Sequence, residues 1–299
     1  MLAFLLAAAI SYTLRDTNVL QPPKASPIAA WTSQPSAVRE AVEFTSHDGT
    51  QVRGWLYRAK PVDGGKEIAH RPFVLFFYGS NEDLVHEEAR LIWLSATLHV
   101  NAVCFDFPGY GFSTGHVSVK ATREIALEEY DFVHDHLVQQ HPDDRASRPE
   151  IVAYGWSIGT GLAVHVANQR SVAGLILQAP PASADEMAAW SSQHDVPKLM
   201  RGVVKVTIDP DVQPIYENAK EISTVQSPLL VVQGTEDDVV PIAQGREVFA
   251  ASPTTQKRFV EVPGAHHNDL RVGHPPAGDA VADFLQQIGA AHPLGSEDH

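Results

Sequence analysis

Five short, almost continuous apolar runs, at 73–78, 101–107, 151–154, 172–177 and 229–232, recur along the chain, with a further strand at 258–262. Strands that read this way are buried on both faces, which is the condition of a parallel strand under helices. Parallel neighbours need a crossover of about a dozen residues or more. Such segments lie at 81–98, with Leu84, Val85, Ala89, Ile92 and Trp93 near a helical period, and at 118–140, 158–168 and 241–251. A mostly parallel sheet with helices on both faces follows. Segments 41–45 and 52–57 flank His47-Asp48-Gly49-Thr50, and the Asp-Gly pair marks a hairpin that adds antiparallel strands at one edge. A last helix is expected at 277–288. There is no internal repeat, so one domain over residues 39–290 is the simplest account, with 291–299 a frayed tail.

Composition excludes several roles. Twenty-two Lys and Arg against 36 Asp and Glu leave a net charge of −14. A nucleic-acid binder needs the opposite balance, and a surface of this sign repels an anionic leaflet. The one cysteine, Cys104, lies inside an apolar run, so no intramolecular disulfide or Cys-based zinc site is available. Residues 1–10 read MLAFLLAAAI with no charge. Such a stretch is too short to span a bilayer but matches the apolar region of a signal peptide, although no basic residue precedes it. Residues 1–14 are therefore expected to be a signal-like or anchoring segment, with membrane association through it and an exported or anchored location favoured over the cytoplasm. Residues 15–38, with Pro22, Pro23, Pro27 and Pro35, read as an extended linker.

Gly155-Trp156-Ser157-Ile158-Gly159 falls between the strand at 151–154 and the helix at 158–168. A serine on a tight strand-to-helix turn presents its hydroxyl beside the free N–H groups of a helix start. The plain structural alternative is a serine that caps the helix. A nucleophilic serine needs a base, and the base an acid to hold its tautomer. Both follow, each after an apolar strand: Gln233-Gly234-Thr235-Glu236-Asp237-Asp238-Val239-Val240-Pro241, then Gly264-Ala265-His266-His267-Asn268-Asp269. On the residues alone Glu236 and Asp238 compete with Asp237, and His266 with His267.

These segments, with Phe105-Asp106-Phe107-Pro108-Gly109-Tyr110-Gly111-Phe112-Ser113-Thr114-Gly115, resemble the α/β-hydrolase superfamily. Within it the likeness is to ABHD-type serine hydrolases and bacterial esterase or lysophospholipase-like proteins, over roughly residues 40–290. The resemblance implies an α/β-hydrolase fold with a mostly parallel sheet of about eight strands, helices on both faces and a short cap inserted at about 181–213. It makes Ser157 the nucleophile, Asp237 the acid and His267 the base, since the family places its histidine directly before an Asn-Asp pair. The oxyanion hole falls to the backbone N–H groups of Ile158 and Ser80. Tyr78-Gly79-Ser80 stands where the family commonly has His-Gly-Asn, and Gln233 where its acid motif begins with His. Tyr78, Trp156 and Trp190 become candidates for the substrate pocket, with Tyr78 equally readable as ordinary strand packing, and Glu82 and Asp83 are expected to place negative charge near its mouth. The implied reaction is ester cleavage through an acyl-enzyme, on a small-molecule ester or lipid-like substrate, with no cofactor and no metal. A thioesterase, acyltransferase or peptidase would use the same residues, and a catalytically silent binding protein would keep only the fold.

Overall fold

The computed structural model describes residues 10–24, 39–59, 72–138, 151–270 and 273–287. The expectations for residues 1–9, 25–38 and 291–299 fall outside them. In chain order the strands are β1 Ile10–Leu14, β2 Arg39–Thr45, β3 Gln51–Tyr57, β4 Phe73–Phe77, β5 Asn101–Phe105, β6 Ile151–Trp156, β7 Gly174–Gln178, β8 Val204–Ile208, β9 Leu229–Gly234 and β10 Lys257–Val262. The α-helices that bear on the site are α1 Asp16–Val19, α2 Leu84–Ala96, α3 Val119–Phe132, α4 Gly159–Gln169, α5 Ala184–His194, α6 Ile242–Ala251 and α7 Ala277–Gln287, with a further short helix at Asn218–Glu221.

Eight strands form the main sheet in the order β10-β9-β7-β6-β4-β5-β3-β2. All neighbours are parallel except β2 with β3 and β3 with β5. The hairpin turns where expected, pairing Thr45 with Gln51 around Gly49 at φ 89°. Strands β4, β6, β7 and β9 are buried at every position, as their unbroken apolar runs require. The sheet grows in one direction through α2 and in the other through α4, so right-handed crossovers set these helices on opposite faces. Asp83 starts α2 by accepting from the Val85 and His86 amides, and Ser118 starts α3 by accepting from Ala121. The expected helix at 118–140 is regular only to Phe132 and continues as a wider turn over Val133–Val138.

The segment expected to form a cap, here called the cap, holds α5 and β8 between β7 and β9. Its strand β8 pairs in parallel with β1, with Ile10 opposite Val204 and Leu14 opposite Ile208. Residues 10–14 are thus a strand of the fold and leave only 1–9 of the apolar segment for any other role. Residues 15–24 are not an extended linker either. Arg15 N–H donates to the Asn18 side chain, α1 follows, and Val19 and Leu20 are buried in the core. The prolines that suggest an extended chain begin only at Pro22, after the two apolar side chains that hold this segment down. Among the described residues no helix is long and apolar enough to cross a membrane.

Candidate active site

The carboxyl ends of β4, β6, β9 and β10 open on one edge of the sheet, and the loops that leave them carry the candidate residues. In open α/β sheets ligands bind at this edge. Ser157 follows β6 directly and has φ 53°, a left-handed conformation that costs a non-glycine residue about 1–3 kcal/mol. The glycines of the motif make that turn possible. A Cβ at Gly155 would lie 2.5 Å from the Gly159 carbonyl oxygen, and one at Gly159 would lie 2.2 Å from that of Phe77. The turn is tied down by Ser157 N–H to the Gln178 carbonyl at 2.8 Å and Thr160 N–H to the Ser157 carbonyl at 3.0 Å.

The Ser157 hydroxyl does not cap α4, which starts with no side-chain cap at all. It lies 2.9 Å from His267 Nε2. On the other side of the ring, His267 Nδ1 is 2.9 and 3.1 Å from the two oxygens of Asp237. An ionised carboxylate only accepts, so Nδ1 carries the hydrogen and Nε2 is left to accept from the serine. Asp237 is itself held by the amides of Val239 and Val240, at 3.0 and 2.8 Å, and by the Gln233 side-chain amide at 2.9 Å. Gln233, at the position where the resembled motif begins with His, donates to both Asp237 and the Val240 carbonyl and so fixes the orientation of that carboxylate. All three members of the row are buried, Ser157 at 8% exposure. The competing residues are elsewhere: His266 is about half exposed, and its ring nitrogens face Glu236 and Asp238 at 3.8 Å each.

The loop after β4 passes over the serine, since a Cβ on Gly79 would lie 3.6 Å from that of Ser157. Ser80 is fixed from afar. Its hydroxyl donates to the Val19 carbonyl, and its own carbonyl accepts from Gln21 N–H at 3.2 Å and the Tyr110 hydroxyl at 2.8 Å. The N-terminal segment therefore braces this loop. No local pattern around Ser80 could have announced contacts from so far upstream.

One pocket expectation changes, and two others gain a structural setting. Tyr78 is fully buried: its hydroxyl donates to Asp106 at 3.2 Å and accepts from Phe107 N–H at 2.9 Å. An aromatic at the end of an all-buried strand finds its polar partner inside the core. Trp156 is also buried, stacked 6.0 Å from His267 with the Arg90 guanidinium 5.3 Å from its ring. Arg90 is in turn held by Glu87 at 2.6 Å and by the Gln178 side chain at 2.9 Å, a buried support that the helical pattern of α2 concealed. Trp190 binds the cap to the acid loop, its indole N–H donating to the Asp238 carbonyl at 3.3 Å. The charge expected at the mouth is also reduced. Asp83 is buried as the cap of α2, and burial, with Glu87 nearby, raises the pKa of half-buried Glu82.

Asp106 accepts from Leu84 N–H at 2.9 Å and Phe112 N–H at 2.7 Å, joining the loop after β4 to the loop after β5. Burial pushes its carboxyl up to about 7 against the pull of those two amides. Cys104 is buried beside it, and burial lifts its thiol well above the usual range. That thiol is core.

The fold and this row of residues define the class: the chain belongs to the α/β-hydrolase family, whose model matches residues 78–214. An uncharacterized protein of Mycobacterium tuberculosis is 30% identical over 250 residues, covering 83% of this chain and 78% of that one. The alpha/beta hydrolase domain-containing protein 17C of Mus musculus is 30% identical over 207 residues, 67% of this chain and 55% of its own length. Among solved structures, an esterase of Pyrococcus furiosus shares the fold with a TM-score of 0.63 at 18% identity, over 90% of this chain and 98% of that one.

Proposed function

We propose that the protein is a serine hydrolase of carboxylic esters, with Ser157 as nucleophile, His267 as base and Asp237 as acid. The observation that carries this reading is the His267 ring, set 2.9 Å from the serine hydroxyl on one side and 2.9 Å from a buried carboxylate on the other. In the proposed reaction His267 Nε2 takes the Ser157 proton as the oxygen attacks the acyl carbon. The tetrahedral oxyanion is met by the N–H of Ile158, at the uncapped start of α4, and by that of Ser80. Collapse expels the alcohol, which takes the proton from His267, and leaves an acyl-enzyme. Water, deprotonated by the same imidazole, then releases the acid. Asp237 stays ionised throughout and holds the ring.

The cap supports a substrate of modest size. It consists of one helix and one strand, and Trp190 fastens it to the acid loop beside the site. A small ester or a single-chain lipid-like ester fits that arrangement better than a bulky one. The test is labelling of the purified protein with a fluorophosphonate probe beside Ser157→Ala, followed by hydrolysis of p-nitrophenyl esters of increasing chain length. Labelling confined to the protein with Ser157 is expected, with turnover greatest at short or medium chains. A folded wild-type protein that neither labels nor turns over any ester would overturn the reading.

A further inference from the structure

Residues 197–203 form the turn from the cap helix into β8, and every one of them is exposed. Leu199 is 96% exposed, with Met200 and Val203 at 41% each. Large apolar side chains grouped this way on a surface mark an interaction site. The charge around them is equally particular. From 196 to 208 the sequence holds Lys198, Arg201 and Lys205 and no acid, in a chain whose net charge is −14. Register adds a third observation. β1 runs parallel to β8 with Ile10 opposite Val204, so the chain enters β1 beside Val203. The nine residues before Ile10, MLAFLLAAA, are apolar and uncharged.

We propose that the loop 197–203 docks the cap on an anionic lipid surface. Leu199, Met200 and Val203 enter the boundary of the acyl chains while Lys198 and Lys205 meet the headgroup phosphates. Apolar side chains interleaved with cations, with no carboxylate between Val196 and Ile208, match a bilayer, whose hydrocarbon lies directly beneath its anions. The acidic remainder of the surface is repelled, so it is this face that turns to the membrane. The loop is not a loose tether. Arg201 donates to the carbonyls of Val196 and His194, and Val206 N–H donates to Ser192 of the cap helix. Through Trp190 that helix is joined to the loop of Asp237, so docking holds the site at a fixed attitude to the lipid surface. The inference goes beyond the ester-hydrolase reading and does not depend on it.

Flotation of the full chain with phosphatidylcholine vesicles, and with equimolar phosphatidylcholine and phosphatidylglycerol, tests the proposal. Binding to the anionic vesicles is expected, weakened by salt and by about fivefold for each lysine neutralised in Lys198→Gln and Lys205→Gln. Leu199→Asp with Met200→Asp should lower binding by about tenfold or more, with hydrolysis of a soluble p-nitrophenyl ester unchanged because both side chains face solvent. Absence of the wild-type protein from anionic vesicles would overturn the dock. So would equal binding of the aspartate variant, or binding that depends on residues 1–9 and not on the loop. A dimer in solution that Leu199→Asp dissociates would show that a second copy takes the place of the membrane. Vesicle binding without turnover of any ester would leave the dock standing and remove the proposed function.

Discussion

Ser157 sits on a turn whose shape comes from glycines two positions to either side, while Ser80, across the site, is held by Val19, 61 positions upstream, and by Tyr110, 30 positions downstream. The first arrangement is steric and local. Backbone atoms of β6 and α4 approach so closely that only glycine fits, and the strained φ of the serine is forced on it. The second is made of hydrogen bonds between segments that meet only once the chain has folded. A site built this way has one half with almost no tolerance and one half that can be adjusted in small steps.

The sharpest test of the contrast is at the proposed nucleophile. Ser157→Ala should lower ester hydrolysis by about 10⁵-fold in steady-state assays, with unfolding unchanged to within about 0.5 kcal/mol, because only the hydroxyl is lost. Next comes Gly159→Ala. Its methyl would lie 2.2 Å from the Phe77 carbonyl, so denaturant unfolding should show destabilisation of about 3 kcal/mol, the upper end for overpacking, and activity should fall with it. A Gly159→Ala protein of wild-type stability would break the claim that the elbow is steric.

The loop side should respond to pH through Asp106. Its carboxyl is raised to about 7 by burial, from 3.8 when unfolded, so the native state binds the extra proton between these values. Stability contributed by this group is therefore lost as pH rises from about 4 to about 7, by a few kcal/mol at most. Asp106→Asn should flatten that part of the stability curve, read from urea unfolding at about pH 4 and about pH 8. An unchanged slope would separate Asp106 from the effect. The smallest change is expected from Tyr110→Phe, which removes one bond to the Ser80 carbonyl: about a fivefold loss of kcat at constant KM. A structural role alone would lower stability and leave kcat untouched.

The outcome for individual residues follows the same division. The hairpin at Asp48-Gly49, the strand runs and the elbow were legible because each is a local rule with a short period or a fixed spacing. Tyr78 stays open between pocket and strand packing at the level of sequence, because an aromatic at a strand end looks the same whether it turns into the core or out to a ligand, and its full burial sets it in the core. Residues 10–24 were misread because nothing nearby reveals that a lone apolar strand will find β8, some 190 positions away, as the pairs Ser11–Thr207 and Thr13–Thr207 do at separations of 196 and 194. Gln233 and Arg90 act on the site through other side chains, and such support has no motif.

By itself the sequence determined the parallel sheet, the tight turn that carries Ser157 and the order in which Ser157, Asp237 and His267 arrive, since periodicity, glycine sterics and spacing are properties of neighbouring residues. The motif resemblance already pointed to His267 over His266 and to Asp237 over its acidic neighbours; the tertiary structure sets these side chains 2.9 Å from their partners, and it alone decided that residues 19–21 brace the loop after β4. Those choices depend on which side chains burial brings within about 3 Å of each other, and that distance is set by the packing of the whole sheet.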